Sequence, residues 1–299
     1  MRILLITLFT FISLSAHAAD SCTSVEIDTT HMPENNNQSG LNWCFAWTAT
    51  DLLSYYEKEQ LSAYDLALQY HNHPSIRDES VENYTDVGGN DGAALLVALT
   101  GKGMCLEKDT NYTNGDWGKL SDLMVMLADP NKDLIEIICS NDLRNSLPFK
   151  NIPIDIINIL NRLEADKKVA GIFDVTCSER YKFKNKYGVG TQKIEDTSSA
   201  VMMKKLDDLL SKNSPASITY DVDLIMNGPN YKKQEANHSS TIIGRRRNFW
   251  TRKCEYLIKN SWGDHCPKKS KIKCDKGNYW VPQSTLENNI YEISWLVKR

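Results

Sequence analysis

Four residue types that together make thiol-based acyl chemistry lie in three separated stretches. The first runs Gln38-Ser39-Gly40-Leu41-Asn42-Trp43-Cys44-Phe45-Ala46-Trp47. The second is Asn237-His238, and the third is Ile258-Lys259-Asn260-Ser261-Trp262-Gly263. A thiolate attacks a carbonyl carbon and an imidazole trades protons with it. An amide oxygen can orient that imidazole, and an amide N–H can hold the oxyanion. Cys44, His238, Asn260 and Gln38 supply one group for each task. Ala49, Leu52, Leu53 and Tyr56 form an apolar stripe after Cys44, which places the thiol at the start of a helix. Free N–H groups and partial positive charge at that end favour a thiolate.

The order Gln, Cys, His, Asn and the wording around each resemble the papain-like (C1-type) cysteine peptidases. The aromatic-Ala-aromatic tail after Cys44, the glycine at 244 six positions beyond His238, and the Asn260-Ser261-Trp262-Gly263 block carry the match. The resemblance implies Cys44 as nucleophile, His238 as base and acid, and Asn260 as its orienter. Gln38 would complete the oxyanion hole with the Cys44 N–H, and Trp262 would cover the His–Asn bond. His31, His71, His73 and His265 have no such context. Gly88-Gly89, followed by Ala94, resembles the family's cleft-edge glycines, whose bare backbone pairs with an extended peptide; a plain turn is the competing reading. Trp43 replaces a small residue and is expected to narrow the cleft or reshape the first subsite. With Gly88, Gly89 and Asn237 it makes up the expected substrate-binding set. The family's half-cystines before the nucleophile and before the glycine pair are Leu41 and Asp86 here, so apolar packing is expected in their place. No cofactor is implied. Metal is not expected either: there is no Cys-x-x-Cys spacing, and the run from Asp109 misses the calcium-loop glycine and its final glutamate.

These groups need elements to hold them. Helices are expected from Cys44 to about Lys58, after an N-cap at Ser62 with Asp65 as reciprocal acceptor, and over Ala93 to Leu99. A helix from Ser199 to Ser211 then leads into short strands at Ala216–Val222, Ser239–Gly244, Glu255–Lys259, Tyr279–Pro282 and Tyr291–Leu296. The fold class is therefore α+β: an N-terminal helical lobe over 19–114 and a C-terminal antiparallel β-rich lobe over 199–299. The active-site cleft is expected between them. Residues 115–198 form an insertion of uncertain role, a lid, a small subdomain or decoration.

Residues 1–18 read as a cleavable signal peptide. Arg2 precedes an apolar run, and Ala16-His17-Ala18 supplies the small-x-small site, so a secreted or periplasmic protein is expected. No stretch is apolar and long enough for a membrane anchor. All eight cysteines follow the signal, and export makes disulfides the default. A free Cys44 leaves an odd seven; two of Cys254, Cys266 and Cys274 are expected to staple the loop after Asn260. The net charge of −3 gives no reason to expect a nucleic-acid partner. Arg245-Arg246-Arg247 and the Lys268–Lys276 run read as solvated loops. Sequons at Asn37 and Asn237 adjoin Gln38 and His238, so a host without N-glycosylation is expected. Too few residues separate the signal from Gln38 for a large inhibitory propeptide. Restraint would fall to the compartment, to a separate protein inhibitor, or to the 115–198 segment. The expected partner is a protein or peptide substrate. Rival readings with the same residues are an inactive peptide-binding scaffold and an acyl transferase or ligase.

Overall fold

A computed structural model of the chain describes residues 22–33, 38, 41–76, 87–110, 170–171, 173–175, 177, 179–223, 237–264, 266 and 272–299. The signal segment, Cys139, Asp86 and most of the 115–198 segment lie outside the described residues, as does the run that follows Asp109 beyond position 110. A short strand β1 (Val25–Glu26) precedes the helical lobe of α1 (Cys44–Glu57), α2 (Ala63–His71), α3 (Asp91–Thr100) and α4 (Glu107–Thr110). Phe45, Trp47, Leu52, Leu53, Tyr64, Leu66 and Leu95 pack together as its core. Ser62 caps α2 by accepting from the Asp65 N–H. The reciprocal half of the expected capping box does not form. The Ser62 N–H donates to the Cys105 carbonyl, while the Asp65 carboxylate accepts from the Cys105 N–H and from Arg180. A guanidinium is the stronger partner for a carboxylate, and it wins.

The second lobe contains β2 (Tyr187–Lys193), α5 (Ser199–Ser211), β3 (Ala216–Asp221), β4 (Asn237–Arg247) and β5 (Cys254–Lys259). It continues with β6 (Lys273–Asp275), β7 (Asn278–Pro282), α6 (Gln283–Glu287) and β8 (Ile290–Lys298). The strands join in the order β2-β8-β3-β4-β5-β7-β6, with β1 beside the far end of β4. Every described pairing is antiparallel. Helices and an antiparallel sheet occupy separate parts of the chain, so the class is α+β with two lobes. Residues 187–193, inside the stretch of uncertain role, form one of the sheet's edge strands. In α5, Met202, Met203, Leu206, Leu209 and Leu210 fall on one helical face and are buried against the sheet. Strand β4 is buried continuously from His238 to Arg245 because α1 packs on it as well as α5 and β1.

Several bonds fix α1 on the sheet. Asp51, in the middle of α1, accepts from the Lys259 ammonium of β5 at 2.9 and 3.1 Å, and from the Thr241 hydroxyl of β4 at 2.8 Å. All three residues are buried. At the end of α1, the Tyr55 hydroxyl donates to the Asn213 carbonyl, and the Tyr56 and Ser214 hydroxyls bond each other. The N-cap of α3 makes a second tie: Asn90 accepts from the Ala93 N–H and donates to both oxygens of Glu292 on β8 at 3.0 Å. Disulfides join Cys22 to Cys254, Cys105 to Cys177 and Cys266 to Cys274. The last closes the loop after Asn260, while Cys254 pairs instead with the N-terminal segment. Among the described residues no helix is long and apolar enough to cross a membrane.

Candidate active site

Cys44 is the first residue of α1, so its N–H has no acceptor within the helix. No side chain caps that end. The sulfur lies against Ser239 on β4, whose N–H and hydroxyl both reach it. Among the described residues Cys44 is the cysteine outside any disulfide. Ser239 and Thr241 of β4 meet Cys44 and Asp51 of α1, and His238 precedes them at the start of the strand. There the His238 ring meets Asn260, Nε2 to Oδ1 at 2.7 Å. Asn260 Oδ1 also accepts from the Ser261 N–H at 2.9 Å. Trp262 covers the imidazole with ring centroids 4.8 Å apart, and Tyr220 closes another side edge-on.

Gln38 is buried. Its main-chain N–H donates to the Ser261 carbonyl at 2.8 Å, and its side-chain oxygen accepts from the Ser261 hydroxyl. One side-chain N–H donates to the Leu41 carbonyl at 2.8 Å, leaving the second hydrogen of that amide. Gln38 thus ties the segment before Cys44 to the loop carrying Asn260.

Burial dominates the electrostatics. It pushes the Cys44 thiol up to about 11; nearby Asp91 adds to this, and contacts with Ser239 and Phe45 pull the other way. Burial also lowers the His238 imidazole to about 4, against the opposing Asn260 bond. Both shifts run against the thiolate expected from the helix terminus, in the direction that desolvation sets. Asp91, the first residue of α3, is buried too, and burial raises its carboxyl to about 7. Its Oδ2 accepts from the Ser217 and Thr219 hydroxyls, and Ser239 also donates to it.

The structure moves one expected substrate contact elsewhere. Trp43 is 2% exposed, inside the helical-lobe core against Tyr64 and His71, and so cannot shape the cleft. An indole this large gains more from burial in that core than from lining a groove. Gly88 is exposed, and Gly89 borders a groove of about 460 Å3 shared with Asn90, Thr219, Asn237 and Glu292. A Cβ on Gly89 would come within 2.8 Å of the Phe45 ring, so this glycine is required by packing whatever else it does. Gly244 has its own local cause: a Cβ there would meet the Val25 carbonyl of β1 at 3.0 Å. Leu41 is buried in the helical-lobe core, as expected of a residue replacing a half-cystine. The described residues contain no cluster of three or more metal-ligating side chains.

Sequence reading missed Asp91, Ser239 and the Asp51–Lys259 pair. A signal existed for the first two. Ser217 and Thr219 on one strand and Ser239 and Thr241 on its neighbour put hydroxyls at every second position of otherwise apolar segments. That pattern marks a polar stripe on a buried face, which needs an acceptor.

No family model and no curated protein matches the sequence. Solved structures do. The proform of the ragweed pollen allergen Amb a 11, a cysteine protease, superposes with a TM-score of 0.52 at 13% identity, covering 95% of this chain and 69% of that one. Digestive procathepsin L 3 of Tenebrio molitor larval midgut gives 0.51 at 13%, covering 94% and 71%. The bromelain protease of Ananas comosus, in complex with the inhibitor E64, gives 0.51 at 14%, covering 92% and 99%. The fold is that of the papain-like cysteine proteases.

Proposed function

We propose that the chain is an exported cysteine peptidase that hydrolyses peptide bonds through a thioester acyl-enzyme. The observation that carries this reading is the 2.7 Å bond from His238 Nε2 to Asn260 Oδ1, shielded by Trp262. In this reading Nε2–H donates to the Asn260 oxygen and Nδ1 is the basic nitrogen, on the residue next to Ser239, which touches the Cys44 sulfur. In the reaction Nδ1 takes the Cys44 proton as the sulfur attacks the scissile carbonyl. The Cys44 N–H and the second Gln38 amide hydrogen hold the oxyanion, and the imidazolium returns its proton to the leaving amine. Water, activated by the same Nδ1, then releases the acid from the thioester. Burial makes this proton transfer part of catalysis rather than of the resting state. Substrate backbone would run past Gly88-Gly89, beside Asn237. The disulfides fit an oxidising compartment.

The raised thiol of half-buried Cys44 and the lowered imidazole of buried His238 favour a second reading, a peptide-binding scaffold without turnover. Casein hydrolysis with Cys44→Ala as control separates the two. The peptidase reading expects activity that one equivalent of iodoacetamide or E64 on Cys44 abolishes, and that Cys44→Ala lacks. Full hydrolysis by Cys44→Ala would refute the mechanism, and peptide capture without cleavage by the wild type would favour the scaffold.

A further inference from the structure

The hairpin between β4 and β5 ends in two aromatic side chains standing in solvent. Phe249 is 73% and Trp250 is 86% exposed, and the rings meet edge to face at 5.1 Å. The other exposed large apolar residues, such as Leu96, Val201 and Val297, are single and about half exposed, on separate elements. The exposed pair does not come from a loose loop. The Asn248 side-chain oxygen accepts from the Trp250 and Thr251 N–H groups at 2.9 Å, and its amide donates to Glu255 at 2.6 Å. The Asn248 N–H donates to the Lys253 carbonyl at 2.8 Å, the Arg252 N–H to the Asn248 carbonyl at 2.9 Å, and Cys254 at the base is pinned to Cys22. A turn bonded this way holds both rings outward, so docking them costs little ordering entropy.

The charges along the turn are of one sign. Arg247, Arg252 and Lys253 are exposed cations, and no acidic residue occurs from 247 to 253. Glu255, the next carboxylate in sequence, is buried and engaged by Arg246 and Asn248. The Arg245-Arg246-Arg247 run lies on β4, not in a solvated loop as expected: Arg245 is buried against Asp207, Arg246 stacks on Trp280, and Arg247 at the strand's end is exposed.

We infer that this hairpin tip docks the protein onto an anionic lipid surface, with Phe249 and Trp250 entering the headgroup layer and Arg247, Arg252 and Lys253 meeting lipid phosphates. Two rings cannot supply the roughly 1,000 Å2 that a stable protein interface needs. A bilayer interface, in contrast, accepts single aromatic side chains, and each cation near it adds roughly fivefold in affinity. Such docking is peripheral and needs no spanning segment. The tip and His238 sit at opposite ends of β4. The nine residue-to-residue steps from His238 to Arg247 separate them by about 30 Å, so docking would leave the cleft open. The inference does not depend on the chemistry of the site.

The test is co-sedimentation of the full disulfide-bonded chain with phosphatidylcholine vesicles carrying phosphatidylglycerol, and with pure phosphatidylcholine vesicles. Binding is expected to the anionic vesicles, at least tenfold weaker to the neutral ones, and weakened by salt. Phe249→Ser with Trp250→Ser should remove it and abolish the accompanying blue shift of tryptophan emission. Arg252→Glu with Lys253→Glu should weaken it about tenfold or more. All four positions are exposed, so circular dichroism and any hydrolytic activity should be unchanged. Absence of binding by the wild type at low salt, or equal binding by the Ser variant, would overturn the inference.

Discussion

Replacing Asp51 by Asn tests whether α1 is held on the sheet by its buried ion pair. The pair has N–O distances of 2.9 and 3.1 Å with both side chains less than a tenth exposed, so its loss strands the Lys259 ammonium in an apolar setting. Breaking a buried pair from one side costs about 3–5 kcal/mol. For a chain of this size that lowers the melting temperature by roughly 6–20 °C. Glu107 complicates the figure. It is buried near both partners, and burial raises its carboxyl to about 8, with Lys259 opposing the shift and Asp51 reinforcing it. Without Asp51 the carboxyl of Glu107 ionises more readily and compensates Lys259 in part. Asp51→Asn alone should therefore fall near the lower end of that range, and Asp51→Asn with Glu107→Gln near the upper. Replacing both charges, as Asp51→Leu with Lys259→Met, should recover most of the loss. Thermal melts at fixed scan rate and pH 7 measure all three. A drop under about 1 °C for the Asp51→Asn, Glu107→Gln double variant would refute the reasoning.

Glu107→Gln alone should flatten the pH dependence of stability. A carboxyl raised by folding contributes stability below its unfolded value and loses it as pH rises through about 8, so the wild type should weaken between pH 5 and 8 more than the variant in denaturant titrations. His238, lowered to about 4, acts in the opposite sense: its contribution is present above the unfolded value and lost as pH falls through 4. Asp91→Asn should speed iodoacetamide labelling of Cys44 at pH 8, where Asp91 is ionised and opposes the thiolate, and leave it unchanged at pH 5.5; an equal change at both would refute a charge effect. Gly89→Ala should destabilise by roughly 1–3 kcal/mol in urea melts, through overlap with the Phe45 ring.

The elements that position the site were largely legible in the sequence, because their signals are local. The stripe after Cys44 and the alternating runs at 216–221 and 254–259 follow from helical and strand periods. Strands β1, β2 and β6 were not legible. Val25–Glu26 and Lys273–Asp275 are too short for alternation to show, and β2 carries glycines where a strand pattern would need side chains. The candidate site residues were named from wording around each, but their setting was not. That Trp43 turns inward, or that Asp91 lies near Cys44, depends on contacts between distant segments, which no local pattern encodes. Nor does composition show how strongly burial acts on a thiol, since the two lobes create that burial only by closing together.

The Cys22–Cys254 bond joins positions 232 apart and turns most of the polypeptide into a covalent ring. Cys44 and His238 both lie inside the ring, and Asn260 follows just after its closure. A single backbone cut anywhere between the two half-cystines opens this ring without releasing a fragment. A chain nicked once in this span therefore keeps Cys44, His238 and Asn260 on one covalent molecule.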